Sequence, residues 1–321
     1  MADPFNGIIN VYKEQDFTSF DVVAKMRGIA GQRKIGHTGT LDPMATGVLP
    51  VCLGNATKVC ELLTDWDKEY VAELLLGKTT DTLDVTGEVL TDDLEAVKSL
   101  TEDQIRMAVS HYEGEILQVP PMYSALKVNG QRLYDLARKG VEVERKPRPV
   151  TIHELEILEI NLPVVKLRIL CSKGTYIRTL CDDIGRELGC GGTMQSLVRT
   201  KVGPFTLEKA RTLAQLQELK DGGNLAESVE SVDSLFAEFP GYCILENARK
   251  ALENGNKLSF NDLDPAKEVS MDGSGRRTGQ TEGNVIVFER NQNFRIYRPD
   301  GSFAGIYRNT GRELKPEKMF L

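Results

Sequence analysis

The chain has 321 residues, 40% hydrophobic and 27% charged, with a formal net charge of −7. This length allows two compact domains of ordinary soluble composition, and no run approaches the roughly 18 apolar residues of a membrane span. The acidic balance weighs against a nucleic-acid partner for the chain as a whole, because phosphate binding rests on Lys and Arg, but a local cluster of cations can reverse it.

The opening stretch, MADPFNGIINVYKEQDF, has no basic start followed by an apolar run, so a cytoplasmic protein is expected. Cys52, Cys60, Cys171, Cys181, Cys190 and Cys243 are sparse and several fall in apolar segments, which predicts reduced core thiols. No CxxC pair occurs and His37, His111 and His153 are scattered, so no metal site is expected.

GIINVY (7–12) reads as a strand, and TSFDVVAKMRGIAG as a helix with Phe20, Val23, Met26 and Ala30 on its inner face and Gly31 as its stop. NATKVCELL reads as helical. KEYVAELLL alternates, with Tyr70, Ala72, Leu74 and Leu76 on one side, as a strand does. Thr101 opens a T-x-x-Q capping box, and Ile105, Ala108, Val109 and Tyr112 form the inner face of the helix that follows.

Between Gln118 and Val150 the chain has prolines at both ends and a short helical centre that stops at Gly140. Lys127, Arg132, Arg138, Lys139, Arg145, Lys146 and Arg148 stand there against Asp135, Glu142 and Glu144, a local excess of +4 in an acidic protein. Long inserts of this kind are often functional loops. VVKLRILCS (164–172) resumes strand alternation, and TYIRTLCDDIGRELG follows as a helix closed by glycine.

From about 219 the text turns polar and acidic, with paired glycines. We expect a first domain over 1–220, a linker over 221–240 and a second domain over 241–321. In the latter, LENARKALENG reads as a helix, DGSGRRTGQTEGN as a mobile loop, and NVIVFER, NFRIYR and SFAGIYR as short strands. The fold class is mixed α and β with a small β-rich C-terminal domain.

Asp42 lies in KIGHTGTLDPMATGVLPVCLGNATKV (34–59), among Gly36, Gly39, Gly47 and Gly54 and before Pro43. Neither phosphate-cradle spacing, GxxxxGK[ST] or GxGxxG after a strand, is present, and there is no G-x-S-x-G elbow. Paired-carboxylate chemistry stays open, since the sequence does not show what faces Asp42. Preceding a proline, Asp42 is biased toward an extended or turn conformation. Two readings follow: a side chain that hydrogen-bonds its own turn, or a carboxylate near its reference pKa of about 3.9, displayed where glycines let a large ligand approach and able to act as a nucleophile.

GHTGTLDPMATGVLPVCLGNATK resembles the defining segment of the bacterial tRNA pseudouridine-55 synthases of the TruB type. KEYVAELLLGKTTDTLDVTG, QVPPMYSALKVNGQRLYDLAR and CSKGTYIRTLCDDIGRELGCGGTM resemble further family segments in order and spacing. One departure is KEQDFTS (13–19), where the family often has K-P-x-G-x-T-S. The resemblance implies a central mixed, mainly antiparallel sheet flanked by helices, plus a small β-barrel-like PUA domain. It also implies conversion of the T-loop uridine of tRNA to pseudouridine without cofactor or metal, by a monomer that binds neither DNA nor membrane.

By the same resemblance Asp42 is the catalytic carboxylate, attacking C1′ of the ribose or C6 of the base, or assisting elimination. Tyr70 stacks on a uracil flipped from its loop and assists at C5, and Arg178 pairs with Asp42. His37 contacts the RNA, and Tyr176 and Leu197 line the uridine pocket. The basic arm, with Tyr123 and Tyr134, would close over an RNA stem-loop. Arg276, Arg277, Arg295, Arg298 and Arg308 would face the acceptor end. Two rivals use the same surfaces: a noncatalytic protein that folds tRNA, and a catalytic subunit guided by a separate RNA.

Overall fold

The computed structural model describes residues 4–128, 130–271, 277–279 and 289–320. Nine strands form the main sheet: β1 (Gly7–Lys13), β2 (Ile35–His37), β3 (Thr46–Leu53), β4 (Lys68–Leu76), β5 (Gly114–Gln118), β6 (Arg148–Asn161), β7 (Val164–Cys171), β8 (Gly192–Val202) and β9 (Phe205–Thr206). Their order is β1-β3-β8-β4-β7-β6-β5, with β2 on β3 and β9 on β8. Only β8 and β3 run parallel, so the sheet is mixed and mainly antiparallel, as expected.

The residue pattern of each strand follows from what covers it. β4 alternates because one face alone carries core, and Tyr70, Ala72, Leu74 and Leu76 point into it with helices α2 (Glu102–Ser110) and α4 (Ile177–Glu187). β1 and β3 are buried along almost their whole length because both faces are covered. Ile9, Val11, Leu49 and Val51 pack under α1 (Ser19–Ala30) and α5 (Leu213–Asp221), while Ile8, Val48 and Cys52 face Val59, Phe205 and Phe320.

The capping boxes at Thr18 and Thr101 start α1 and α2, each such cap contributing about 1 kcal/mol. On α1 the buried stripe is Val22, Val23, Met26, Ile29 and Ala30. Phe20, expected on the inner face, is 64% exposed, because it lies across the helix from Val22. The NATKVCELL segment divides into a 3-10 turn over Gly54–Val59 and a short helix over Cys60–Thr64. The basic arm holds a two-residue-per-strand hairpin (Lys127–Val128 with Gln131–Arg132) and a short helix, α3 (Leu133–Ala137), before Gly140 turns left-handed.

A second sheet, ordered β11-β10-β12-β13-β14, is built from β10 (Gly241–Ile244), β11 (Leu263–Glu268), β12 (Asn293–Tyr297), β13 (Phe303–Asn309) and β14 (Leu314–Met319). NFRIYR and SFAGIYR supply β12 and β13. Of the remaining C-terminal expectations, the mobile loop, with Arg276, lies outside the described residues apart from 277–279, and NVIVFER lies outside them over 284–288. Leu225, Val232 and Asp233 are buried, and Tyr297 donates to Asp233 at 3.0 Å, so the segment entering this sheet is packed down. Five cysteines are buried, Cys60 is half-buried, and all six are free thiols.

Candidate active site

The loop between β2 and β3 carries Asp42, and its shape is fixed from below. Lys13, at the end of β1, is fully buried and donates to Pro43 O at 3.1 Å and Ala45 O at 2.5 Å. Burial pushes its ammonium down to about 8, with Asp42 the main opposing influence. Ser19 Oγ accepts from Leu41 N at 2.8 Å, and Ala45 N closes the turn on Asp42 O at 3.0 Å.

The KEQDFTS departure keeps this geometry. Asp16 occupies the place of the family glycine at φ +67°, a left-handed conformation that Asp tolerates better than most residues, and its N–H reaches Pro43 O at 2.9 Å. The glycines of the Asp42 loop mainly serve internal contact and not ligand approach. At Gly47, φ is +106° and a Cβ would stand 2.2 Å from Arg199 O; Cβ atoms at Gly36 and Gly54 would also meet protein.

Asp42 uses its main chain for the turn and its carboxylate for Arg178. Arg178 Nε lies 2.9 Å from Oδ2, and Nη2 lies 3.3 Å from Oδ1, a two-point grip. The arginine is 5% exposed, the opposite of a free helix charge, and its remaining donors reach Thr82 O (2.9 Å), Tyr123 O (2.8 Å) and Asp84 Oδ2 (3.5 Å). Asp84 is itself consumed by Thr82 Oγ1, Thr86 N and Thr86 Oγ1, at 2.9, 3.0 and 2.5 Å. The carboxylate nearest Asp42 through Arg178 therefore supports the arginine, and a glycosidase pair is not formed.

Asp42 keeps 36% side-chain exposure on its open side, while protein crowds the rest. Desolvation pushes its carboxyl above the usual range; Arg178 pulls it back, Asp84 pushes it up again and Lys13 opposes that.

Tyr70 and Arg199 are cross-strand partners on β4 and β8, so the guanidinium lies beside the phenol and each acts on the other's charge. Burial raises the Tyr70 phenol, and the Arg199 guanidinium is the largest influence lowering it. Arg199 is 1% exposed, donating to Val48 O at 2.7 Å and Gly39 O at 3.3 Å, so it joins Tyr70 to the Asp42 loop. Leu197 is buried in one apolar cluster with Leu41, Ala45, Tyr70 and Ile177.

His37 ends β2, half-buried; its Nδ1 accepts from Gly39 N at 3.3 Å, and burial and Arg199 hold the imidazole below its usual range. Tyr176, half-buried, begins α4 without a side-chain cap of its own. Gln118 instead fixes the main chain of Tyr176, its Oε1 accepting from Tyr176 N–H (2.7 Å) and its Nε2 donating to Tyr176 O (3.0 Å).

Sequence reasoning thus missed Lys13, Asp84, Gln118 and Arg199. A signal for Arg199 exists: two residues after Leu197 in a strand, it shares that face. Among the described residues no three His, Cys, Asp or Glu side chains gather as a metal set, and no helix is long and apolar enough to cross a membrane.

The fold recurs in solved structures. A chain of a Cbf5–Nop10–Gar1 complex superposes with a TM-score of 0.68 at 28% identity, over 98% of this chain and 85% of that one. A model of the TruB family pseudouridylate synthase N-terminal domain matches residues 27–177, and one of the tRNA pseudouridylate synthase B C-terminal domain matches 178–237. The fold is that of a pseudouridine synthase, an isomerase. The tRNA pseudouridine synthase B of Lachnoclostridium phytofermentans is 47% identical over 98% of this chain and 100% of its own length. That of Clostridium tetani is 47% identical over 88% and 98%. The chain belongs to the TruB family of pseudouridylate synthases.

Proposed function

We propose that this chain isomerises the T-loop uridine of tRNA, position 55, to pseudouridine, with Asp42 as the reacting carboxylate. The observation that carries the reading is the two-point Arg178–Asp42 pair beside buried Tyr70, an aimed carboxylate next to an aromatic wall. The reaction breaks C1′–N1, joins C1′ to C5 of the same base and expels the C5 proton. An acid held near the sugar serves each route to that exchange: attack at C1′, attack at C6, or assisted elimination.

Arg178 aims Asp42 and supplies positive charge. Tyr70 stacks on the flipped uracil, repaying part of an extrusion cost of about a few kcal/mol, and its phenol, beside Arg199 across the strands, faces the C5 proton. His37, kept neutral, contacts RNA; Tyr176 and Leu197 wall the base. The arm over 120–150 binds the T stem-loop, supported by exposed Arg132, Arg138, Lys139 and Lys146 around Tyr134.

The division into a catalytic domain (1–220), a connecting segment (221–240) and a PUA-like domain (241–321) belongs to the same proposal, as do a monomeric state and a cytoplasmic location. The expected acceptor-end contact needs revision at Arg295, which is 2% exposed and donates to Phe239 O, Tyr297 Oη and Val269 O. A cleft of about 560 Å3 beside this sheet bears Lys315 and Lys257, the latter paired with Glu313 at 2.5 Å.

Tritium release from unmodified tRNA labelled at uridine C5 tests the activity. About one label per tRNA is expected, lost when the T-loop uridine is replaced, and Asp42→Asn should abolish release while holding tRNA affinity within a few-fold. Tight binding with no release from the wild type would favour the noncatalytic folding reading instead.

A further inference from the structure

A cleft of about 490 Å3 opens between α1 and β2, away from the Asp42–Arg178 pair but ending on His37. Its lining includes Phe20, Arg27, Arg33, Lys34 and Thr57. Among the described residues no carboxylate lies within ion-pair distance of Arg27, Arg33 or Lys34. Arg27 Nε donates to Arg33 O at 3.2 Å, and Lys34 Nζ donates to Asn55 Oδ1 at 2.7 Å. Three exposed cations without acidic partners thus line one cleft of a chain whose net charge is −7. The ring of Phe20 is exposed beside them, and the Arg27 guanidinium lies 5.7 Å from its centroid, so one face of the cleft is an aromatic plate backed by a cation.

Charge that is unpaired, an exposed ring and a neutral imidazole at one end match a nucleic-acid strand better than any small anion. Phosphates take the cations, and an unpaired base takes the ring. We infer that the cleft is a second RNA site: the strand of the substrate leaving the target uridine passes His37 and lays its phosphates on Arg27, Arg33 and Lys34, with one base stacked on Phe20. The inference rests on the proposed action on tRNA and adds a contact surface separate from both the basic arm and the C-terminal sheet. It also gives exposed Phe20 a function that helix packing does not.

The test compares wild type, the triple variant Arg27→Gln/Arg33→Gln/Lys34→Gln, and Phe20→Ala, using unmodified tRNA transcript in filter binding from low to high KCl. All four side chains are exposed, so the variants should melt like the wild type. For the triple variant, the slope of log affinity against log salt should become shallower by about 2 to 3, and affinity at low salt should fall at least tenfold. Single-turnover tritium release at saturating tRNA should stay within threefold of wild type.

Phe20→Ala should lose about tenfold in affinity with an unchanged slope, the mark of stacking. A triple variant with wild-type slope and affinity overturns the site, and an unaffected Phe20→Ala removes the stacking plate from it. Wild-type tritium release judges the functional reading separately. Release together with an unaltered triple variant rejects the cleft alone; no release with a flattened slope keeps the cleft and rejects the isomerase. A wild type that does not bind tRNA rejects both.

Discussion

Arg178 donates to the carbonyl of Tyr123 at 2.8 Å through the same Nη2 that faces Asp42. Tyr123 lies at the root of the basic arm, so one buried guanidinium joins the arm to the Asp42 carboxylate. A displacement of the arm root must either carry the arginine along or break one of its bonds. The position of the arm root and the aim of Asp42 are thereby linked through a single side chain.

Arg178→Lys isolates that linkage. Lysine keeps the charge but cannot reproduce the fork that serves Asp42, Thr82 O, Asp84 and Tyr123 O together. The single-turnover rate should fall by about two orders of magnitude or more, since an interaction aimed at the reacting group is typically worth about 3 kcal/mol. tRNA affinity should change by less than about tenfold, the loss being of aim and not of binding surface. A rate near wild type would show that the second point of the grip is dispensable.

The Tyr70–Arg199 pair is open to a sharper test. Tyr70→Phe keeps the stacking surface and deletes only the hydroxyl, while Arg199 keeps its bonds to Val48 O and Gly39 O. If the phenol assists removal of the C5 proton, that step becomes slow in the variant. Deuterium at C5 should then slow Tyr70→Phe several-fold while leaving the wild type nearly unaffected. Equal rates with hydrogen and deuterium in the variant would confine Tyr70 to stacking.

The two arginines also show what sequence makes legible. Asp42, Tyr70 and Arg178 lie in segments whose spacing announces them, and the β4 alternation that buries Tyr70 is visible in KEYVAELLL. Arg199 escapes notice because its partner is set by the register of β8 on β4, interrupted by irregularities between Met194 and Ser196 and between Arg199 and Lys201. Lys13 escapes because a lysine at a strand end ordinarily reads as exposed, whereas three backbone carbonyls hold this one inside. Phe20 misleads for the converse reason: an apolar residue in the first helical turn fits the stripe by count but not by angle. The glycines around Asp42 stand out in the sequence, but the reason for them does not, since it arises from strands and loops that meet only in the folded chain.

Asp16 offers a stability test of the departure from the family pattern. At φ +67° an aspartate is strained relative to glycine, and among the described residues its carboxylate accepts no hydrogen bond that would be lost. Asp16→Gly should raise stability by about 0.5 to 1 kcal/mol, the left-handed relief exceeding the entropy that glycine adds to the unfolded chain. The unfolding midpoint in urea measures it, and tritium release should be unchanged because Pro43 O keeps its donor. A lowered midpoint would mean that the aspartate carboxylate contributes more than its backbone costs.

Asp183, on α4, predicts a pH dependence. Burial, with Asp182 beside it, pushes its carboxyl up to about 6 from an ordinary 3.8, Arg186 pulling the other way. Below the unfolded value both states are protonated and burial is not penalised. Between about 3.8 and 6 the native protein retains a proton that the unfolded chain has released, so stability falls as pH rises. Above about 6 the native carboxylate is charged and carries the full penalty. Asp183→Asn removes the titration, so its gain over wild type should be small at about pH 4, grow through about pH 5 and level off by about pH 7 at about 1 to 2 kcal/mol. Urea unfolding at those three pH values measures the difference. A gain independent of pH would assign the effect to packing, and a loss at neutral pH would show that the charge is paired in the native state after all.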